Sequence, residues 1–215
     1  MEQQVYRNED AIDRMRKRPK SWMNILMVAA NIVIFLLVEV TGSSEDVVHM
    51  IAWGAAFPPL IRVGEYYRMF TCMFLHFGIE HLCNNMLLLI FIGDNLERAV
   101  GRVRYLLIYL LGGFGGSVVS YYWNMRNGVD VVSAGASGAI FAVIGAMIYI
   151  IIQHRGRLED LSLKRLLLMA FLTIYVGFSS DGIDNAAHIG GLMCGFLLAL
   201  ILYRKKNERN RCSLE

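Results

Sequence analysis

The sequence predicts an all-α membrane protein, a bundle of six transmembrane helices with both termini in the cytoplasm. The first observation is composition: 56% of the 215 residues are hydrophobic and the mean hydropathy is +0.45, which is too apolar for a soluble domain of this length. The second is that the apolar residues form separate blocks between charged segments, which indicates several membrane spans rather than one core. The third is the placement of lysine and arginine, which favours one side of a membrane.

Six apolar blocks predict the six helices. They lie at residues 23–40, 82–92, 105–122, 136–152, 166–178 and 186–203. The first block follows a charged stretch and no small-residue cleavage site follows it, so we expect an uncleaved signal anchor. The second and the fifth are short against the roughly 20 residues that a straight span needs. We expect the second to extend back through His81 and the fifth to continue into Ser179 and Ser180.

Basic residues set the orientation of these spans. If the N-terminus is cytoplasmic, the opposite side of the membrane receives only Arg62, Arg68 and Arg126, and the other basic residues face the cytoplasm. The net charge of +3 therefore reports topology and does not indicate nucleic-acid binding. This orientation divides the chain into three parts: a cytoplasmic N-terminal arm (1–20), a six-span domain (21–204) and a cytoplasmic basic tail (205–215).

Polar residues from three separate spans are predicted to meet near the outer surface. The second, fourth and sixth spans all run inward, so their N-terminal ends lie at a similar depth. Ser137 begins the fourth span, His188 begins the sixth, and His81 and Asn85 share one face at the start of the second. Polar groups at this depth are costly, and we interpret them as functional.

These four residues have the chemistry of a serine protease. Ser137, in Gly135-Ala136-Ser137-Gly138, is a candidate nucleophile, and His188 is the base that would take its proton. The Asn85 amide, the His81 ring N–H and the backbone N–H of Ser137 are candidate donors to a tetrahedral oxyanion. The sequence therefore predicts an intramembrane serine protease.

Helical spacing adds three expectations about the surroundings of His188. Gly191 and Gly195 lie on the His188 face, so this span is expected to pack closely against the fourth. Asp184 is either a third catalytic residue or the cap of the last helix, and we favour the cap and a Ser-His dyad. His76 is five residues before His81 and is expected to face elsewhere.

The same residues resemble the rhomboid family of intramembrane serine proteases, and the resemblance extends over nearly the whole chain. Gly135–Gly138 matches the family's GxSG motif, and 187–195 is similar to its AHxxGxxxG segment. His76 to Asn85 has its His-x4-His-x3-Asn spacing. Tyr67-Arg68 stands where Trp-Arg is usual, and Glu97-Arg98-x2-Gly101 resembles the family's ExxxG end of the second span.

The resemblance implies a six-helix, rhomboid-like bundle with a cavity that opens to the extracytoplasmic side. It gives Ser137 as nucleophile, His188 as base, and His81 and Asn85 as oxyanion donors. Phe141 stands where the family often has a tyrosine packed on the catalytic imidazole, and we expect the ring stacking to persist. The implied partners are single-pass transmembrane proteins within a lipid bilayer, and the expected location is a bacterial plasma membrane.

The resemblance also implies roles for two loops. The first outer loop, with Trp53 and Pro58-Pro59, would form a partly embedded hairpin that Arg68 and Glu97 help to anchor, although the charge pattern puts Glu97 nearer the inner side. The fifth span and the loop at 179–185 would form a mobile gate.

The main alternative is a non-catalytic rhomboid-like protein that binds transmembrane helices, for which both Ser137 and His188 would be unnecessary. A transporter or metal carrier using His76, His81 and His188 is disfavoured, because no HExxH motif or carboxylate cluster accompanies them. An aspartyl protease would need a membrane partner for Asp94. We expect neither a metal nor another cofactor.

Overall fold

The computed structural model describes residues 20–158, 161–179 and 182–204, so nearly all of the predicted arm and the whole predicted tail lie outside the described residues. The described chain is mostly helical, and each predicted apolar block is a helix. In chain order the elements are α1 (Trp22–Thr41), α2 (Val47–Ala52), α3 (Pro58–Arg62), α4 (Arg68–Thr71) with a 3-10 turn (Cys72–Phe74), α5 (Gly78–Leu88) continuing through a π-helical turn (Leu89–Gly93) into α6 (Asp94–Val100), α7 (Arg102–Asn127), α8 (Ser137–Gln153), a hairpin of β1 (Arg157–Leu158) and β2 (Leu161–Ser162), α9 (Leu163–Ser179) and α10 (Asn185–Leu202).

The two short blocks extend as predicted. The second helix begins at Gly78 and so includes His81, and α9 runs to Ser179, while Ser180 lies outside the described residues. Among the described helices, α1, α7 and α10 are long and apolar enough to cross a membrane. A fourth span is counted if the bent pair at 68–74 and 78–100 is taken as one. The chain is therefore a multi-pass membrane protein.

Helix α8 is the centre of the bundle. Of its 17 residues 13 are buried, on every face of the helix, as expected for a helix that is apolar all round. At 1.5 Å per residue α8 is about 25 Å long. Helix α8 is therefore shorter than the roughly 30 Å thickness of a bilayer's hydrocarbon core.

The first loop is held together by Arg68. This side chain is 5% exposed and forms an ion pair with Glu65 at 2.6 Å. Its Nη1 also donates to the carbonyl oxygens of Ile51 at 2.6 Å and Ala55 at 3.1 Å. The hydroxyl of Tyr67 donates to the same Glu65 carboxylate at 2.8 Å, and this bond and the Arg68 guanidinium hold the pKa of Glu65 below its usual value. Arg68 therefore joins Glu65 to two carbonyl groups of the preceding loop segment.

Glu97 does not take part in this anchor, so that part of the expectation is wrong. Its carboxylate accepts hydrogen bonds from the backbone N–H groups of Met23 at 3.2 Å and Asn24 at 2.7 Å. These are first-turn groups of α1, which have no partner within their own helix. Glu97 thus stabilises the start of α1, and the acidic partner of Arg68 is Glu65.

Candidate active site

The segment that leads to Ser137 is held by backbone hydrogen bonds on both sides. Ser133 and Ala56 exchange two of them, at 2.9 and 2.8 Å, and the N–H of Gly135 donates to the carbonyl of Cys72 at 2.9 Å. Ser137 is then the first residue of α8. Its backbone N–H is among those that a helix leaves unpaired, at the positive end of the helix dipole. The fold therefore presents Ser137 on a fixed segment beside a potential anion site.

His81 and Asn85 lie directly against this segment. Gly135 has φ +149°, and a Cβ placed there would meet His81 Nε2 at 2.9 Å and Asn85 Nδ2 at 3.7 Å. A side chain at this position would therefore displace the His81 ring. Asn85 is buried, and its Nδ2 has no hydrogen-bond partner among the described residues. Unpaired buried donors are rare in folded proteins, and this one faces the residues that precede Ser137.

His188 lies over the first turn of α8. Its ring stacks on Phe141, with centroids 4.3 Å apart and planes 7° from parallel, which is the stacking that the resemblance implied. Its Nδ1 is buried and has no partner within the part of the chain that the structure describes. In the same part of the chain, no hydrogen bond joins His188 to Ser137. Catalytic hydrogen bonds are often long before substrate binds. The stacking on Phe141 therefore sets the position of the imidazole, whereas no hydrogen bond between described residues sets its distance from Ser137.

Glycines set the distance between α8 and α10. A Cβ at Gly191 would overlap the carbonyl oxygen of Gly138, and one at Gly195 would overlap the carbonyl oxygen of Ala142. Backbone therefore lies directly against backbone on the His188 face of α10, as predicted from the spacing of these two glycines after His188. We refer to these two contacts as the α8–α10 contact.

His76 is part of this region, so the expectation that it faces elsewhere is wrong. It is 1% exposed, and its Nε2 accepts the backbone N–H of Ala136 at 3.3 Å. Its ring also packs edge-on against His81, with centroids 5.2 Å apart. The physical reason is an 88° bend between the helical segments at 68–74 and 78–100. His76 lies in the bend, so helical spacing from His81 does not give its direction.

Asp184 is confirmed as the cap of α10 and has two further partners that the sequence did not predict. Its Oδ1 accepts the N–H of Ala187 at 2.9 Å. Its Oδ2 accepts hydroxyl hydrogen bonds from Ser120 of α7 at 2.5 Å and from Ser133 at 2.7 Å. Nothing in the sequence singles out these serines, because they precede Asp184 by 64 and 51 positions. No group of three or more possible metal ligands occurs within the described ranges.

Comparisons with known proteins agree with this architecture. The family model described as "Rhomboid domain" matches residues 63–205. Rhomboid protease GluP of Bacillus subtilis (strain 168) is 37% identical over 183 residues, which cover 85% of this chain and 35% of that protein. RHOMBOID-like protein 1 of Arabidopsis thaliana is 40% identical over 158 residues, 70% of this chain and 39% of that protein. Putative rhomboid protease YdcA of B. subtilis is 31% identical over 146 residues, 68% of this chain and 72% of that protein. The chain thus spans less than half the length of the first two.

Proposed function

Since this chain belongs to the rhomboid family, we propose that it is an intramembrane serine endopeptidase that hydrolyses peptide bonds in or beside the spans of single-pass membrane proteins. The observation that carries the proposal is the convergence on the first turn of α8. There the His188 ring stacks one turn below Ser137, and the unpaired amide of Asn85 lies against Gly135. A base and a free hydrogen-bond donor thus accompany a hydroxyl, which are the parts that acyl transfer needs.

The reaction follows from these positions. Ser137 Oγ attacks the carbonyl carbon of the substrate while neutral His188 takes the hydroxyl proton. The carbonyl oxygen becomes an oxyanion that accepts hydrogen bonds from Asn85 Nδ2, the His81 ring and the Ser137 N–H. Collapse breaks the C–N bond, and His188 returns its proton to the leaving amine. Water then attacks the acyl-enzyme with His188 again as base, which releases the new carboxyl end and restores Ser137.

His188 is proposed to work without a third catalytic residue. Asp184 uses its carboxylate on Ala187, Ser120 and Ser133, and His188 Nδ1 has no partner among the described residues. Stacking on Phe141 instead of a hydrogen bond to an acid would orient the imidazole. The described contacts therefore favour a dyad.

The proposed topology has six spans, cytoplasmic termini and a site that opens to the extracytoplasmic side of a bacterial plasma membrane. All six apolar blocks are helical, and the basic residues fit this orientation. The proposed parts remain an arm at 1–20, a rhomboid protease domain at 21–204 and a basic tail at 205–215. Helix α9 and the loop after it would open to admit substrate, although residues 180–181 of that loop lie outside the described residues.

The decisive experiment is cleavage of a model single-span substrate by the purified protein in detergent. Ser137→Ala and His188→Ala should each abolish cleavage without changing the melting temperature, and the double variant should be no worse than either, since the two residues act as one unit. A fluorophosphonate should label the wild type but not Ser137→Ala. Ser117→Ala is the matched control, because Ser117 is a helix serine that donates to its own helix at Gly113.

The outcomes distinguish the protease from the non-catalytic helix-binding protein, the two functions that were considered from the sequence. Loss of cleavage in the two dyad variants, with normal cleavage by Ser117→Ala, supports the protease. A wild-type protein that binds the substrate, is not labelled and cleaves nothing would instead be the non-catalytic helix-binding protein. Residual turnover in Ser137→Ala would mean that another group is the nucleophile.

A further inference from the structure

One carboxylate beside the site has more partners than a helix cap needs. Capping of α10 uses only Oδ1 of Asp184, through the N–H of Ala187. An Asp that acted only as a cap would leave its second oxygen to water. Here Oδ2 accepts both serine hydroxyls instead, at 2.5 Å from Ser120 and 2.7 Å from Ser133. Hydrogen bonds to an ionised acceptor are stronger than neutral ones, so this arrangement has a structural consequence beyond the cap.

Two of the three segments that meet at Asp184 carry the two residues of the proposed dyad. Ser133 precedes Ser137 by four residues and is fixed to Ala56 of the first loop through two backbone bonds. Asp184 is one helical turn before His188, whose N–H donates to the Asp184 carbonyl at 3.1 Å. The Ser133–Asp184 bond therefore joins the segment that carries the nucleophile to the turn that precedes the base.

This bond complements the α8–α10 contact. Gly191 and Gly195 set the two helices against each other on one side of His188, and the first turn of α10 also packs on α7, where a Cβ at Gly116 would meet the Ala187 carbonyl oxygen at 2.8 Å. The Asp184 carboxylate fixes the same helix above His188, to Ser133 and to α7 through Ser120. Helix α10 is therefore attached on both sides of His188, and the Asp184 bonds are the side-chain part of that attachment that lies nearest the segment of Ser137.

We infer that Asp184 is a positioning residue for the Ser137–His188 dyad, acting through Ser133, and this inference rests on the proposed function. Asp184 does not act as a third catalytic acid, because its oxygens are bonded to other groups and His188 Nδ1 has no partner among the described residues. Asp184 instead acts on the position of the His188 imidazole.

The test uses a substitution that keeps the cap and removes the link. Serine is as good a helix cap as aspartate, so Asp184→Ser should still cap α10, but its short side chain cannot bond both hydroxyls. We expect kcat to fall about tenfold, as for a small misalignment of reacting groups, with KM within about twofold and little change in melting temperature. Asp46→Ser is the matched control, because Asp46 caps α2 through Val48 and His49 and lies outside the site; its kcat should stay at the wild-type value.

Ser133→Ala is the second variant, which leaves the cap untouched and remains informative if Asp184→Ser folds poorly. It should lower kcat by a similar or smaller factor, and the double variant should be no slower than Asp184→Ser, because that variant already lacks the Ser133–Asp184 bond. Wild-type kcat in Ser133→Ala, or single effects that multiply in the double variant, would overturn the inference. A wild-type protein that neither cleaves substrate nor reacts with fluorophosphonate would overturn the proposed function itself. If the wild type is active and Asp184→Ser is equally active per folded molecule, only the role of Asp184 fails.

Discussion

Replacing Gly195 by valine should inactivate the protein without touching a reacting atom. A Cβ at this position would overlap the carbonyl oxygen of Ala142, and it would lie 2.5 Å from both the Cα and the carbonyl carbon of the same residue. These are backbone atoms of the central helix, so no side-chain rotation can relieve the overlap. Helices α8 and α10 must therefore move apart.

The size of the effect follows from that displacement. Restoring ordinary contact distances, about 3.5–4.0 Å between carbon atoms, requires α10 to shift by on the order of 1 Å. Such a shift of His188 relative to Ser137 costs about 10² in rate when two catalytic groups must be aligned. Overpacking should also lower the free energy of unfolding by roughly 1–3 kcal/mol.

The assay compares turnover with folding. Each variant is purified as a monomer, aggregates are removed, and kcat is expressed per folded molecule beside the melting temperature. Gly113→Ala is the comparison variant, since a Cβ there would overlap the flexible end of Met73 and would lie 2.7 Å from the Cβ and 3.1 Å from the Cα of Ala139, on the α7 side of α8. It should lower stability with less effect on kcat than Gly195→Val. If folded Gly195→Val cleaves substrate at the wild-type rate, the α8–α10 contact does not align the dyad and the reasoning fails.

Three further outcomes are expected. Asn85→Ala should lower kcat by about 10² with a smaller change in KM if its amide stabilises the oxyanion; a fall in melting temperature that accounts for the lost activity would indicate a structural role instead. Glu97→Gln replaces the carboxylate that accepts the N–H groups of Met23 and Asn24, of which the second bond is buried, and should cost roughly 1–3 kcal/mol of stability, measured by denaturation, with kcat per folded molecule unchanged. The pKa of Glu65 is lowered by the Tyr67 hydroxyl and by Arg68, so its stabilising effect is present above the unfolded pKa of about 4.3 and is lost as the pH falls through the lower folded value. The melting temperature should therefore drop in acid, and Glu65→Gln should flatten that drop; equal pH profiles would contradict it.

The positions of the helices could be predicted because hydrophobicity determines them directly. The two short blocks were extended correctly, to His81 at the start of α5 and to Ser179 at the end of α9. Orientation of the spans then brought Ser137, His188 and Asn85 to one region without any knowledge of packing. The depth of a residue in the membrane depends mainly on its position along its own span, and the sequence gives that position directly.

Properties that depend on a bend or on distant side chains could not be predicted in this way. His76 was assigned by helical spacing, but it lies in the 88° bend before α5, where that spacing does not apply. The charge pattern placed Glu97 at the inner side, but its partners are backbone N–H groups of α1, which no residue pattern marks. The capping role of Asp184 could be predicted because this residue directly precedes an apolar helix. The bonds from Ser120 and Ser133 to Asp184 could not, because they depend on tertiary contacts.

Burial differs strongly between the helix that carries Ser137 and α9. Helix α8, which carries Ser137, is buried on every face, and it contacts α10 backbone to backbone. Helix α9 is different: Leu166, Ala170 and Gly177 are buried, while most of its large apolar side chains are exposed. Segments with few buried contacts open at the lowest free-energy cost. Under the proposed function, displacement of α9 would therefore leave Ser137 and His188 in place, and we expect substrate access and dyad alignment to respond to different substitutions.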